Sequence, residues 1–108
     1  MQLKFKIWVE SDDEMFLGNG RVNLLQAIGE HGSISAAAKH IGLSYKKAWE
    51  QVDHMNALSP EPLVERSTGG AGGGGTLLTE QGEKLVQEFS RMRGLLEEKI
   101  NNSSTLFT

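Results

Sequence analysis

The side chains able to act on another molecule fall into three groups. Ser44, Tyr45, Lys46 and Lys47, with Glu50 one turn further on, place a hydroxyl, a phenol, two cations and a carboxylate close together. Lysine can neutralise a phosphate or donate to guanine, tyrosine can hydrogen-bond phosphate or pack on a thymine methyl, and serine can cap a helix while touching the backbone. Arg66 stands at the base of the second group, the glycine-rich run from Ser67 to Gly75, which includes Thr68, Gly69, Gly70, Gly72 and Gly73. Glycines lack a side chain, so such a chain can approach a phosphate closely and offer successive N–H groups to it. The third group is His31, His40 and His54. No two of these stand at i, i+3 or i+4, so one helix cannot supply a metal-binding pair, and neither a metal nor another cofactor is expected.

Catalytic readings fare poorly. The run Gly70 to Gly75 satisfies the letters of G-x-G-x-x-G, yet Thr76-Leu77-Leu78 follows it with no strand-loop-helix-strand unit around it. A phosphate-binding P-loop fails as well, because Gly75 stands where the lysine is needed before Thr76. There is no cysteine, which removes thiolate nucleophiles, disulfides and thiolate zinc sites. The serines lack a nucleophile-elbow context, and Asp12-Asp13 and Glu97-Glu98 read as solvated charge. A small hydrolase built on Asp53 and His54 is the weakest of the three functional readings, and no catalytic residue is expected.

These groups need a scaffold, and 108 residues with 38% hydrophobic and 23% charged side chains suit one compact domain. A single unit is expected over 1–100, with 101–108 as a disordered tail. Leu3, Phe5, Ile7 and Val9 alternate with Lys4, Lys6 and Trp8, and Met15 to Leu17 follow a turn-forming Ser11-Asp12-Asp13, which predicts a β-hairpin over 3–18. From Val22 the spacing becomes helical and stops at Gly29 and Gly32. Ser33 offers a cap for a second helix with Ile34, Ala37, Ala38 and Ile41 on one stripe, and Gly42 ends it. Ser44 offers a cap for a third, running through Ala48, Val52 and Met55 until Pro60 and Pro62.

Two short helices joined by Gly-Leu-Ser, with alanines where the axes approach, predict a helix-turn-helix over 33–58, although a plain helical hairpin fits the same spacing. Leu63 to Arg66 and Thr76 to Leu78 bracket the glycine run and predict a wing over 63–78. Thr79 then begins a helix over 79–100. The fold class expected is α+β, mainly helical: a winged helix-turn-helix with an N-terminal β-hairpin and a long C-terminal helix. With Ala48, Val52 and Met55 inward, Ser44, Tyr45, Lys46, Lys47 and Glu50 lie on or beside the outer arc. Trp49 flanks the inward stripe, which favours a place in or near the core and leaves DNA contact as the alternative.

The segments GSISAAAKHIGLSYKKAWEQVDHMN and LVERSTGGAGGGGTLLTEQG resemble the DNA-binding domain of ModE-type molybdate-responsive transcriptional regulators, and the first part is shared more loosely with LysR-type regulators. The pairing of SYKKAW with RSTGGAGGGG is the most specific part. The resemblance implies a dimeric winged helix-turn-helix that binds operator DNA. Full-length relatives carry molybdate-binding modules after the long helix, and nothing up to Thr108 resembles them, so no molybdate site is expected here. Ala71 stands where some relatives place a basic side chain, which leaves phosphate contact there to backbone N–H groups.

The expected function is therefore a sequence-specific regulator of double-stranded DNA. Its third helix enters the major groove, its wing lies on the backbone or in the minor groove, and its operator is an inverted repeat. The net charge of −3 argues against wholesale coating of nucleic acid, but residues 33–66 are locally neutral in an otherwise acidic chain. Leu85, Phe89, Met92 and Leu96 repeat at spacings of four, three and four, and predict a homodimer seam that can include helix one and the N-terminal hairpin; packing within the chain alone is the competing reading. The alternative is a protein–protein interaction module that recruits a separate sensor protein. The only continuous apolar run at the N-terminus is Ile7-Trp8-Val9, so neither secretion nor membrane insertion is expected and a cytoplasmic location is.

Overall fold

A computed structural model describes residues 1–67, 75–103, 106 and 107. The chain runs β1 (Val9–Ser11), β2 (Glu14–Leu17), α1 (Asn19–His31), α2 (Ile34–Ile41), α3 (Tyr45–Leu58), β3 (Val64–Ser67), β4 (Gly75–Leu78) and α4 (Glu80–Ser103). It is the expected α+β winged helix-turn-helix with a long last helix. The strands form two separate antiparallel pairs, β1 with β2 and β3 with β4.

The N-terminal hairpin is much shorter than the alternation over residues 3–9 predicts. Pairing begins only at Val9 opposite Leu17, because Gly18 turns the chain into α1 and leaves residues 3–8 with no partner strand among the described residues. Asp12 and Asp13, both at positive φ, make the two-residue turn. The register shifts between Val9 and Glu10, so Phe16 is the extra residue of a bulge in β2. A regular strand would point Phe16 and Leu17 to opposite faces; the bulge lets both enter the core.

α1 and α2 end at glycines, and α2 and α3 begin at serines whose side chains cap them. Gly32 and Gly42 both adopt left-handed backbone at φ 73°, a conformation that glycine reaches without a Cβ penalty. Gly29 lies inside α1 rather than ending it, and α1 begins at Asn19, earlier than the apolar spacing suggests. Ser33 accepts the Ala36 N–H at 3.0 Å and Ser44 accepts the Lys47 N–H at 3.1 Å. Such caps contribute about 1 kcal/mol each. Leu43 donates its N–H to the Ala38 carbonyl at 2.8 Å, closing the turn between α2 and α3.

One core lies beneath these elements. Leu17, Leu24, Leu25, Ile28, Met55 and Leu63 are its largest fully enclosed side chains. Ala37 and Ala38 of α2 and Ala48 of α3 are buried, their single methyls leaving room for close helix packing. In α4 the buried residues are Gly82, Val86 and Phe89, all in its first half. A Cβ at Gly82 would stand 2.5 Å from the Leu63 carbonyl oxygen, so glycine is what allows α4 to start against the wing.

Beyond Phe89 the helix leaves the core. Its 24 residues make a rod of about 36 Å, and the molecule measures 56 × 29 × 22 Å with a radius of gyration of 16.0 Å. A compact domain of this length has a radius of about 13 Å, so the distal half of α4 is a projection. α4 extends to Ser103, three residues into the segment expected to be tail; Ser104, Thr105 and Thr108 lie outside the described residues.

Candidate nucleic-acid interface

The front of α3 is exposed. Ala48, Val52 and Met55 fix the inner face against the core, and helical geometry then turns Ser44, Tyr45, Lys46, Lys47 and Glu50 to solvent. Tyr45 keeps 57% of its surface accessible. Lys46 Nζ stands 3.9 Å from Glu50 Oε1, a loose surface pair one helical turn apart, of the kind that contributes little to stability. The two lysines lie in the first turn, where the helix has free N–H groups and its positive end, so cation and backbone favour the same anionic partner. α3 itself is 14 residues, a rod of about 21 Å, a length the major groove accepts.

Trp49 is half-buried and packs against the core, as its position beside the inward stripe suggests. Its outer surface is also used. Tyr45 meets its ring edge-on at a centroid distance of 6.3 Å, and the Arg66 guanidinium lies 5.4 Å from the ring centre. Arg66 is thereby held against α3 by a cation–π contact, a type worth about 0.5–1 kcal/mol at exposed sites. The base of the wing and α3 are therefore side by side. Thr68, Gly69, Gly70, Gly72 and Gly73 lie outside the described residues.

Sequence reasoning misses the residue that anchors the wing to α3. Asn56 accepts the Leu63 N–H at 2.8 Å and the Val64 N–H at 3.3 Å on Oδ1, and donates from Nδ2 to the Val64 carbonyl at 3.0 Å. One amide thus replaces the strand partner that β3 lacks on that edge among the described residues. The available signal is a polar residue on the last turn of a helix, facing a Pro-containing return loop. A second anchor joins β4 to the end of α1: Thr76 donates its N–H to the Gly32 carbonyl at 2.9 Å, and a Cβ at Gly75 would collide with that oxygen. Thr79 caps α4 through the Gly82 N–H at 3.0 Å while donating to the Pro62 carbonyl at 2.7 Å.

The expected seam residues divide. Phe89 is 4% exposed and Leu85 packs against the same core, so the first half of the stripe packs within the chain. Met92, Leu95 and Leu96 remain 40%, 49% and 37% exposed. The N-terminal residues Met1, Leu3 and Phe5 lie beside Ile100 along a groove of about 700 Å³ at the same end. Arg93 bridges back to Asn19 at 2.8 Å, and Arg91 pairs with Glu88 at 2.6 Å. The hydrogen bond from Arg91 holds the Glu88 carboxyl below the usual carboxylate range. No helix among the described residues is long and apolar enough to cross a membrane.

His54, the sequence neighbour of Asp53, meets Glu14 of β2 instead, Nε2 to Oε1 at 3.1 Å. His31 and His40, remote in sequence, come together at the ends of α1 and α2.

Capped helices joined by a three-residue turn, with a two-stranded wing fastened to the second of them, define a winged helix-turn-helix protein. Residues 20–83 match the bacterial regulatory helix-turn-helix proteins of the lysR family, and the chain belongs to that family. It is 45% identical over 89 residues to the DNA-binding transcriptional dual regulator ModE of Escherichia coli (strain K12), covering 82% of this chain and 34% of that protein. It is 43% identical over 100 residues to the molybdenum transport protein ModE of Azotobacter vinelandii (86% and 37%). Against the molybdenum-pterin-binding protein MopB of Rhodobacter capsulatus the identity is 53% over 73 residues (68% and 27%). The chain spans about a third of the length of the curated relatives it matches.

Proposed function

We propose that the protein is a sequence-specific regulator of transcription that binds duplex DNA as a homodimer, with α3 in the major groove. The observation that carries this reading is the solvent-facing first turn of α3, where Tyr45, Lys46 and Lys47 stand clear of the core on a capped helix end. In a groove, Lys46 and Lys47 neutralise phosphates or donate to guanine, and Tyr45 contacts phosphate or a thymine methyl. Ser44 keeps the tip in register through its cap. Glu50 balances Lys46 in the free protein and can accept from a cytosine amine once that lysine turns to DNA. Arg66, parked on Trp49, is offered to the backbone or minor groove, and Thr68, Gly69, Gly70, Gly72 and Gly73 are assigned to the same contact from their residue types alone.

The homodimer seam is assigned to Met92, Leu95 and Leu96 with the N-terminal residues alongside, rather than to the full stripe, because Leu85 and Phe89 are used internally. Two-fold symmetry then makes the operator an inverted repeat, its half-sites one helical turn or a multiple apart. Domain and family support a regulator rather than an enzyme, acting in the cytoplasm. No molybdenum ligand is assigned to these residues.

Selection from random duplex oligonucleotides tests the reading: an enriched inverted repeat is expected. Affinity for that repeat should fall linearly in log–log plots against salt, and Lys46→Ala or Lys47→Ala should each reduce the slope by about 0.9 for every phosphate left unneutralised. The exposed apolar stripe favours one other reading, a module that recruits a separate sensor protein. Failure to enrich any sequence at low salt, with the chain folded, would select it.

A further inference from the structure

We propose that Glu30, His31 and His40 form a binding site for a divalent transition-metal ion of the zinc class, at the junction of α1 and α2. Each of the three offers one ligand atom, and these atoms lie within 4.8 Å of one another. Two imidazoles and a carboxylate are the donor set that suits zinc, which takes nitrogen at about 2.0–2.1 Å and carboxylate oxygen at about 2.0–2.2 Å. A tetrahedral ion with those bonds needs its donors about 3.3 Å apart. All three side chains are exposed, so closing the remaining gap takes rotation about their own bonds and no movement of the core. Water would complete the fourth position.

The site is a product of tertiary structure. His31 is the last residue of α1 and His40 lies in the last turn of α2, and packing of the two helices brings the rings to a centroid distance of 4.7 Å at 46°. Both helices present their negative ends there, which favours a cation. Two imidazoles side by side without an ion gain little and repel when both are protonated, whereas a shared metal uses both lone pairs. None of the ion pairs among the described residues engages Glu30, His31 or His40. Lys39, exposed beside His40, is the one neighbouring charge on α2 that opposes a cation, and Glu30 offsets it.

Such an ion would tie the end of α1 to the end of α2 next to Gly32, whose carbonyl anchors β4. Its test does not depend on DNA. Chelator-treated full chain titrated with zinc chloride in a calorimeter should bind one ion per chain, and the melting midpoint should rise with zinc concentration because the ion favours the folded state. His31→Ala and His40→Ala should each weaken binding at least about tenfold, the lower bound of what even outer-sphere partners contribute at metal sites. His40→Gln, which keeps the side-chain length, should do the same, and Glu30→Gln should weaken binding less. His54→Ala, remote from the cluster, should bind as the wild type does. The proposal is overturned if folded wild type takes up no zinc in large excess, or if binding survives His31→Ala and His40→Gln, or if His54→Ala removes it.

Discussion

The two ends of the molecule use their apolar residues in opposite ways. Around α2 and α3 the large hydrophobic groups are spent inward: Ile34, Val52 and Met55 are buried together with Ala37, Ala38 and Ala48, and the exposed tip of α3 carries Tyr45, Lys46, Lys47 and Glu50. Along the distal half of α4 the reverse holds. Met92, Leu95 and Leu96 stay exposed on a rod that has left its own core, with Leu3 also half exposed at that end. An end whose apolar surface is already satisfied is suited to a charged, hydrated partner. One that leaves apolar surface in water is suited to a protein surface, which in the proposed homodimer a second copy would supply.

The sharpest break of this comparison is to put charge into the apolar end. Leu95→Asp with Leu96→Asp should convert dimer to monomer in light scattering. Affinity for an inverted repeat should then drop by about 10²–10⁴, the gain that linked binding sites provide. Affinity for a single half-site should hold, and a loss of both would show that the two ends are not separable.

At the other end, Asn56→Ala should cost about 1–3 kcal/mol in urea unfolding by leaving the buried N–H of Leu63 without its acceptor. Its oligomeric state should be unchanged. Ser44→Ala, which removes the cap on Lys47, should cost about 1 kcal/mol and loosen the tip of α3, read as faster amide exchange in its first turn.

The smallest effect belongs to Glu88→Gln on the outer face of α4. Arg91 holds the Glu88 carboxyl below its ordinary range, so whatever the pair contributes is present at neutral pH and disappears as pH falls through that lowered value. Both side chains are more than half exposed, so solvent screens the pair. The melting midpoint of Glu88→Gln should match the wild type at pH 7 and at pH 3, and a clear difference would mean that this face is covered by something.

The helical part of the fold is legible in the sequence because its signals are local. Ser33, Gly42, Ser44 and the proline pair act within a few residues, and they bound α2 and α3 where the structure has them. The N-terminal hairpin falls short of its alternating pattern because alternation reports only that a segment suits a strand. Whether residues 3–8 pair depends on a partner, and β2 is only four residues long. In the same way, an apolar stripe on α4 is visible in the sequence, but which residues remain free is not. Phe89 and Met92 occupy the same stripe; the edge of the core falls between them.

The sequence by itself determined the order of elements, the capped turn between α2 and α3, and the residue types at the exposed tip, since each follows from spacing and local hydrogen-bond chemistry. Only the tertiary structure decided that Asn56 fastens the wing, that Arg66 rests on Trp49, that half of the α4 stripe is buried, and that His31 meets His40. Each of these joins residues separated along the chain, and the distance between such groups is set by how helices and strands pack, which no local pattern encodes.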